Sequence, residues 1–130
     1  MIILAIRTDK PEAELYLYDG QKQLAELKWP AHLKLGETIN TQIEKILNLL
    51  SISYDDLRGI AIYKGPGSFT GLRIGMTVAN VLAYAQQIPI VANSGNDWLK
   101  KSIKALLAGQ NDTVASPEYG APARTTKARK

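Results

Sequence analysis

The 130-residue sequence contains no cysteine and a single histidine, His32. Without cysteine, the chain has no disulfide, no thiol nucleophile and no zinc–thiolate site. A single histidine also excludes the metal motifs that need two histidines on one helix face, and we expect no metal site. The absence of cysteine fits a reducing compartment, so we expect a cytoplasmic protein.

Long hydrophobic runs and a strong charge imbalance are also missing. The opening MIILAI run is followed at once by Arg7, Asp9 and Lys10, so it is too short for a signal peptide or a membrane span, and we expect no membrane association. Half of the net charge of +4 comes from residues 109–130. Their charged residues are Arg124, Lys127, Arg129 and Lys130 against Asp112 and Glu118. The nearly balanced body argues against a large nucleic-acid-binding face.

Hydrophobic spacing predicts eight regular elements. Strands are predicted over residues 2–6, 14–18, 21–29, 59–64 and 88–92, and the first three are expected to be antiparallel. Helices are predicted over residues 33–50, 69–87 and 95–107. The order β-β-β-α-β-α-β-α indicates an α/β fold, a single ribonuclease-H-like lobe over residues 1–108 with a mixed five-stranded sheet and three helices. Residues 109–130 lose this spacing and are predicted to form a basic, mostly disordered tail.

The most distinctive stretch is GPGSFTGLRIG at residues 65–75, between the fourth predicted strand and the second predicted helix. Gly65 and Gly67 suit positive φ angles and Pro66 fixes φ, so these residues predict a tight turn. Ser68 or Thr70 can cap the helix that follows. A glycine turn at a helix N-terminus can hold an anion, although the same residues also make an ordinary capped turn. The phosphate-loop pattern Gly-Lys-Ser/Thr is absent.

The helix after this turn has more apolar surface than one sheet contact needs. Small residues recur every four positions along one side, at Gly71, Gly75, Ala79 and Ala83. We interpret this stripe as a helix-packing surface that lets a second backbone approach closely. The apolar arc covers roughly 220°, about twice what a helix lying on one sheet needs. We therefore expect burial on two sides, against the home sheet and against another helix or protein, with an ordinary central core helix as the alternative.

Several motifs together resemble the bacterial TsaB (YeaZ) family. They are the 65–75 string, the IILAI opening strand, His32 with Glu37-Thr38-Ile39, and Ser94-Gly95 ahead of the third helix. The similarity covers about residues 1–107. It implies the fold of the actin, Hsp70 and sugar-kinase superfamily.

The resemblance implies a non-catalytic scaffold subunit, without a cofactor, for N6-threonylcarbamoyladenosine formation at position 37 of tRNA. Such a subunit pairs with a TsaD-like transferase, here through helices 33–50 and 69–87, and a TsaE-like ATPase joins the assembly. The same surface could form a homodimer when the partner is missing. The predicted partner-binding residues are Thr38, Thr41, Gly67, Ser68, Phe69, Thr70, Arg73, Met76, Thr77, Asn80 and Tyr84.

The sequence departs from the family in two ways. The family usually has an Asp-Thr-Ser-like turn after the first strand, whose aspartate helps to hold metal and phosphate in the superfamily. Here Arg7-Thr8-Asp9 stands in its place, and a guanidinium cannot ligate Mg²⁺. The family also carries a second lobe of similar size, so we expect this chain alone to hold no complete nucleotide cleft.

Two other functions stay open at this stage. The glycine turn and Asp9 would suit an ATP-binding phosphotransferase or ATPase of the same superfamily. The basic residues of the predicted tail would suit salt-dependent contact with the tRNA backbone.

Overall fold

The elements of the chain follow the predicted order. A computed structural model describes residues 1–118. Its elements are β1 Ile2–Arg7, β2 Glu12–Asp19, β3 Lys22–Pro30, α1 Leu35–Leu49, a 3₁₀ turn Tyr54–Asp56, β4 Leu57–Tyr63, α2 Phe69–Gln86, β5 Ile90–Asn93 and α3 Trp98–Leu107. No helix in residues 1–118 is long and apolar enough to cross a membrane. The basic residues Arg124, Lys127, Arg129 and Lys130 lie outside the described residues.

The five strands form one mixed sheet in the order β3-β2-β1-β4-β5. β1 pairs antiparallel with β2, and β2 pairs antiparallel with β3. β1 and β4 are parallel, as are β4 and β5, so each of these pairs needs a connection that crosses a face of the sheet. Helices α1 and α2 lie within these two connections. The mixed five-stranded sheet with three helices agrees with the predicted ribonuclease-H-like lobe.

Each face of the sheet is covered by helices. Successive side chains of β1 point to opposite faces, because the period of a strand is two residues. Leu4 and Ile6 belong to the core beneath α1 and α2, together with Ile43 of α1. Ile3 and Ala5 belong to the second core, beneath α3. The lobe is therefore a three-layer structure with α1 and α2 side by side on the same face.

Residues 110–118, which we call the strap, form no helix or strand but pack against the lobe. Ala115 of the strap is only 5% exposed. The backbone N–H of Glu118 donates to the carbonyl of Lys64 at 2.6 Å. Helix α3 ends at Leu107, and the packed chain continues past the predicted boundary at residue 108 at least to Glu118. The prediction of a disordered tail therefore stays a proposal for residues 119–130 alone, which lie outside the described residues.

The small-residue stripe of α2 faces the chain's own sheet and the turn after β1. A Cβ atom added at Gly75 would overlap the side chain of Thr8, and one added at Gly71 would overlap the carbonyl of Thr8. Ala79 and Ala83 are buried in the core between α2 and the sheet. The second backbone that approaches closely is the turn after β1, which Thr8 ties to α2 by donating its hydroxyl to the Gly71 carbonyl at 2.8 Å.

Replacing Gly75 with alanine should therefore destabilise the fold. Its added methyl group has no room beside Thr8, and overpacking of this kind costs about 1–3 kcal/mol. Gly36→Ala is the matched control, because Gly36 is also helical and the nearest atom to its added Cβ would be Ile74 Cδ1 at 3.9 Å. We expect this control to raise the free energy of unfolding by up to about 1 kcal/mol. Urea denaturation measures both changes, and equal stability of the two variants would contradict the packing described here.

Candidate partner-docking site

The glycine-rich loop joins β4 to α2 and closes onto the turn after β1. Gly65 has a φ of +118°, in the region that favours glycine. The backbone N–H of Ser68 donates to the carbonyl of Asp9 at 2.9 Å, and the hydroxyl of Ser68 accepts from the N–H of Gly71 at 3.3 Å. Of the two predicted caps, Ser68 and Thr70, it is therefore Ser68 that caps the helix. A Cβ atom at Gly67 would overlap Asp9, so the chain's own turn fills this side of the loop.

Arg7 and Asp9 form a two-point ion pair at the end of β1. Arg7 Nε donates to Asp9 Oδ1 at 2.8 Å, and Arg7 Nη2 donates to Asp9 Oδ2 at 3.1 Å. The guanidinium carbon lies 4.0 Å from the centre of the Tyr63 ring. The hydrogen bond to Asp9 raises the pKa of Arg7. The pair is therefore held in a fixed geometry between an aromatic face and the turn.

This carboxylate does not fit a Mg²⁺–phosphate site. Both oxygens of Asp9 accept hydrogen bonds from Arg7, and only 9% of the Asp9 side chain is exposed. Magnesium needs carboxylate oxygens that are free to enter its octahedral shell with water or phosphate. Within residues 1–118, no group of three His, Cys, Asp or Glu side chains is placed to hold a metal ion.

Glu14 of β2 lies opposite Arg7 in the strand ladder and extends this charged cluster. Its carboxylate pairs with Lys10, and Tyr16 Oη donates to Glu14 Oε1 at 2.5 Å. Burial raises the pKa of Glu14. The hydrogen bonds from Lys10 and Tyr16 and the charges of Lys10 and Arg7 lower this pKa by more than burial raises it, so the pKa of Glu14 is lowered overall. Burial and the hydrogen bond to Glu14 raise the pKa of Tyr16. The cluster has two cations and two carboxylates, which balance each other locally.

The side of α2 that points away from the sheet is exposed and rich in apolar and aromatic groups. Val81 is 60% exposed, Tyr84 82% and Phe69 54%. The Arg73 guanidinium lies 5.4 Å from the centre of the Phe69 ring. Spacings of three and four residues place these side chains on one face of the helix. We call this surface the docking stripe, formed by Phe69, Thr70, Arg73, Thr77, Val81 and Tyr84.

A shallow groove separates the docking stripe from α1. Its α2 wall includes Ile74, Thr77 and Val78, and its α1 wall includes Gly36 and Asn40. The two helices thus present one continuous surface, with the groove along its middle. Thr41 of α1, a predicted contact, is exposed beside Glu44 and Lys45 of the same helix and does not line this groove.

Three of the predicted contact residues are already engaged inside the lobe. Met76 is 4% exposed and belongs to the core beneath α2, so it is removed from the proposed contact set. The amide of Asn80 makes two hydrogen bonds to the backbone of Ala115. The hydroxyl of Thr38 accepts from Trp29 Nε1 at 2.9 Å and donates to the Lys34 carbonyl at 2.8 Å.

The other predicted contacts are exposed, and one exposed residue was missed. Gly67, Ser68, Phe69 and Thr70 lie at the N-terminal end of α2, and Arg73, Thr77 and Tyr84 continue along the helix. Val81 was not among the predicted contacts, although it belongs to the apolar arc of the helix, and the structure leaves it 60% exposed. Its spacing of four residues from Thr77 is the signal that could have found it.

Comparison with known proteins gives the family. The model of the family described as "TsaD: tRNA N6-adenosine threonylcarbamoyltransferase" matches residues 30–108. The tRNA threonylcarbamoyladenosine biosynthesis protein TsaB of Bacillus subtilis is 36% identical, over 76% of this chain and 43% of its own length. The protein of the same name from Buchnera aphidicola is 30% identical, over 92% of this chain and 59% of its own length. The solved structure of YeaZ from Pseudomonas aeruginosa has a TM-score of 0.64 and 27% identity, over 72% of this chain and 45% of that chain.

The chain belongs to the TsaB (YeaZ) family. Membership confirms the resemblance that was based on the 65–75 string. It also confirms the predicted fold, a single ribonuclease-H-like lobe of the actin, Hsp70 and sugar-kinase superfamily. The chain spans about half the length of the curated TsaB relatives that it matches. The family model covers α1, β4, α2, β5 and α3, so both helices of the docking surface lie within the matched region.

In this TsaB lobe, we expect Glu14→Gln to reduce the acid sensitivity of folding. The folded pKa of Glu14 lies below its ordinary value of 4.5, so the carboxylate stabilises the fold above that pH. This stabilisation is lost as the pH falls through the lowered folded pKa. The urea midpoint of the wild type should therefore fall more steeply between about pH 5 and pH 3 than that of the variant. Glu44→Gln, a change at an exposed residue of α1, is the control and should keep the wild-type slope. Equal slopes for all three proteins would contradict a stabilising role of Glu14.

Proposed function

We propose that this chain is the docking lobe of a non-catalytic TsaB scaffold subunit, which supports threonylcarbamoyladenosine formation in tRNA by binding a TsaD-like transferase. The docking stripe of α2 is the observation that carries this proposal, because the lobe itself leaves that helix face uncovered. The TsaB relatives are named for biosynthesis of this modified nucleoside. The lack of cysteine in the sequence suits a cytoplasmic site of action.

The chemistry of the docking stripe suits burial against a protein. Aromatic residues and arginine are enriched in the cores of protein interfaces, and the stripe contains Phe69, Tyr84 and Arg73. Arg73 is its only charged residue, and no charged residue follows in the sequence until Asp97. Covering this surface therefore removes few charges from water, which keeps the cost of desolvation low.

The arrangement of the two helices indicates how a related lobe would bind. α1 and α2 lie side by side on one face of the sheet and leave a groove between them. The match to the TsaD family model includes both helices, which supports a partner with a comparable helix pair. Two such pairs would pack as a four-helix bundle. A second copy of this chain could occupy the same surface as a homodimer, and a TsaE-like ATPase would join the assembly elsewhere.

The turn after β1 supports a scaffold rather than an ATP-dependent enzyme. A phosphotransferase or ATPase of this superfamily needs a carboxylate that is available to metal at this position. Here Arg7 uses both oxygens of Asp9. The chemistry of the modification is accordingly assigned to the transferase in this proposal.

Val81→Asp should prevent binding of a co-expressed TsaD-like transferase. The change places a carboxylate between Thr77 and Tyr84 of the docking stripe, and an unpaired charge is costly to bury in an interface. We expect at least about a tenfold loss of affinity, seen as loss of co-purification and of the complex in gel filtration. The thermal midpoint of the free chain should change little, since Val81 is 60% exposed.

Leu107→Asp is the matched control for this experiment. Leu107 is 41% exposed at the end of α3, on the opposite face of the sheet. This variant should retain the complex. Wild-type affinity in both Val81→Asp and Tyr84→Ala would overturn the assignment of the docking stripe.

A further inference from the structure

The strap covers the outer edge of β5, the last strand of the sheet. Ile90 N–H donates to Asn111 Oδ1 at 3.1 Å, and the Ile90 carbonyl accepts from the N–H of Asp112 at 2.8 Å. The N–H of Ala92 donates to Asp112 Oδ2 at 3.1 Å. An exposed strand edge would otherwise leave these groups available to another chain. Two side chains and one backbone group of the strap thus take the place of a sixth strand.

The strap then crosses to α2, where one side chain, Asn80, makes the hydrogen bonds between the two segments. Asn80 Nδ2 donates to the Ala115 carbonyl at 3.0 Å, and Asn80 Oδ1 accepts from the Ala115 N–H at 2.8 Å. The amide of Asn80 therefore pairs with the strap as a neighbouring peptide group would. Ala115 is buried in the same core cluster as Ala79 and Ala83 of α2. The strap is part of the packing around the helix, with both polar groups of Ala115 satisfied.

The strap ends at the loop from which α2 begins. The Glu118 N–H donates to the carbonyl of Lys64, and a Cβ atom at Gly65 would overlap the carbonyl of Glu118. Together with the contacts to β5 and Asn80, this gives three attachment points along one side of α2. The strap is therefore tied to the loop before α2, to the middle of α2, and to β5, the strand that follows α2.

We infer that the strap positions α2 for docking and forms one border of the docking stripe, an inference that rests on the proposed function. Asn80 lies three residues from Thr77 and four from Tyr84, so it adjoins the stripe. The groove to α1 adjoins the other side of the stripe, where residues of the stripe line it together with Ile74 and Val78. The docking stripe is consequently bounded by α1 on one side and by the strap on the other. Asn80 acts in docking through the strap rather than as a free contact residue.

Residue-level amide hydrogen exchange on the full chain tests whether the strap is one cooperative unit. Asn80→Ala removes both bonds to Ala115, and exchange at the Ala115 N–H should accelerate at least about tenfold. Asp112→Ala acts at the β5 edge, away from α2, and should accelerate exchange at Ala115 as well as at Ala92. Asn96→Ala, at an exposed residue before α3, is the control and should leave these rates unchanged.

The affinity for a TsaD-like transferase tests the positioning role separately. We expect about three- to tenfold weaker binding for both Asn80→Ala and Asp112→Ala at a temperature where circular dichroism shows each fully folded. Asp112→Asn keeps a side-chain oxygen for the Ala92 N–H and should restore both the exchange rate and the affinity. Since Asp112 lies at the β5 edge rather than on the docking stripe, loss and rescue there would report on the position of α2.

The possible results separate the two proposals. Unchanged exchange at Ala115 in Asp112→Ala would overturn the strap as a unit. Faster exchange with wild-type affinity in both alanine variants would overturn its role in docking. A wild-type chain that binds no transferase would overturn the proposed function and the docking half of this inference, whereas the exchange rates would still test the strap alone.

Discussion

The structure depends on one close backbone contact, between the first turns of α2 and the end of β1. Thr8 donates its hydroxyl to the Gly71 carbonyl at 2.8 Å, and its side chain lies where a Cβ atom of Gly75 would be. Any larger residue at either glycine would push the helix away from the sheet. This contact fixes the distance between the two elements and the side that α2 turns toward its own lobe. The opposite side, with Val81 and Tyr84, is left outside as a consequence.

The same contact explains the position of the charged cluster at the end of β1. Because the backbone of Asp9 accepts from Ser68 and its Cβ meets Gly67, the Asp9 side chain is held in a crowded turn. A carboxylate in such a place needs a compensating charge, and Arg7 supplies it in a two-point geometry. The turn after β1 is thus occupied by an internal ion pair. The N-terminal end of α2 is consequently secured by the chain's own groups.

Sequence reasoning could identify the elements because their patterns are local. The alternation in β2, the aliphatic run of β1 and the excess apolar arc of α2 each depend on residues within about twenty positions of one another. The same reasoning could not decide which neighbour the stripe of Gly71 and Gly75 would meet. Helical spacing shows that the two residues share a side, but the contact is Thr8, far away in the chain. Met76 was misplaced for the same reason, since it lies near a border of the apolar arc and only tertiary packing decides which border is covered.

The strap could not be predicted because it has no hydrophobic period. It replaces a strand with side-chain acceptors from Asn111 and Asp112, residue types that are most often found in turns. Its one buried apolar residue, Ala115, is too small to give a pattern. Asn80 is equally ambiguous, because an asparagine in a helix gives the same sequence signal whether it faces water, a partner or a neighbouring segment. Only the bidentate pairing with Ala115 shows which of these applies.

The two sides of α2 together explain why a rigid lobe suits a scaffold. One side is held at short range by glycine and alanine, and its flank is held by the strap through Asn80. The remaining face needs little ordering when a partner binds, because the helix backbone is already fixed at both ends and in the middle. Binding costs fall when a surface is preorganised, so even a docking stripe of a few side chains can give useful affinity. Packing thus decides which face of α2 stays accessible: the β1 turn fixes the helix, the strap keeps it in place, and the face that these two contacts leave exposed is the proposed docking surface.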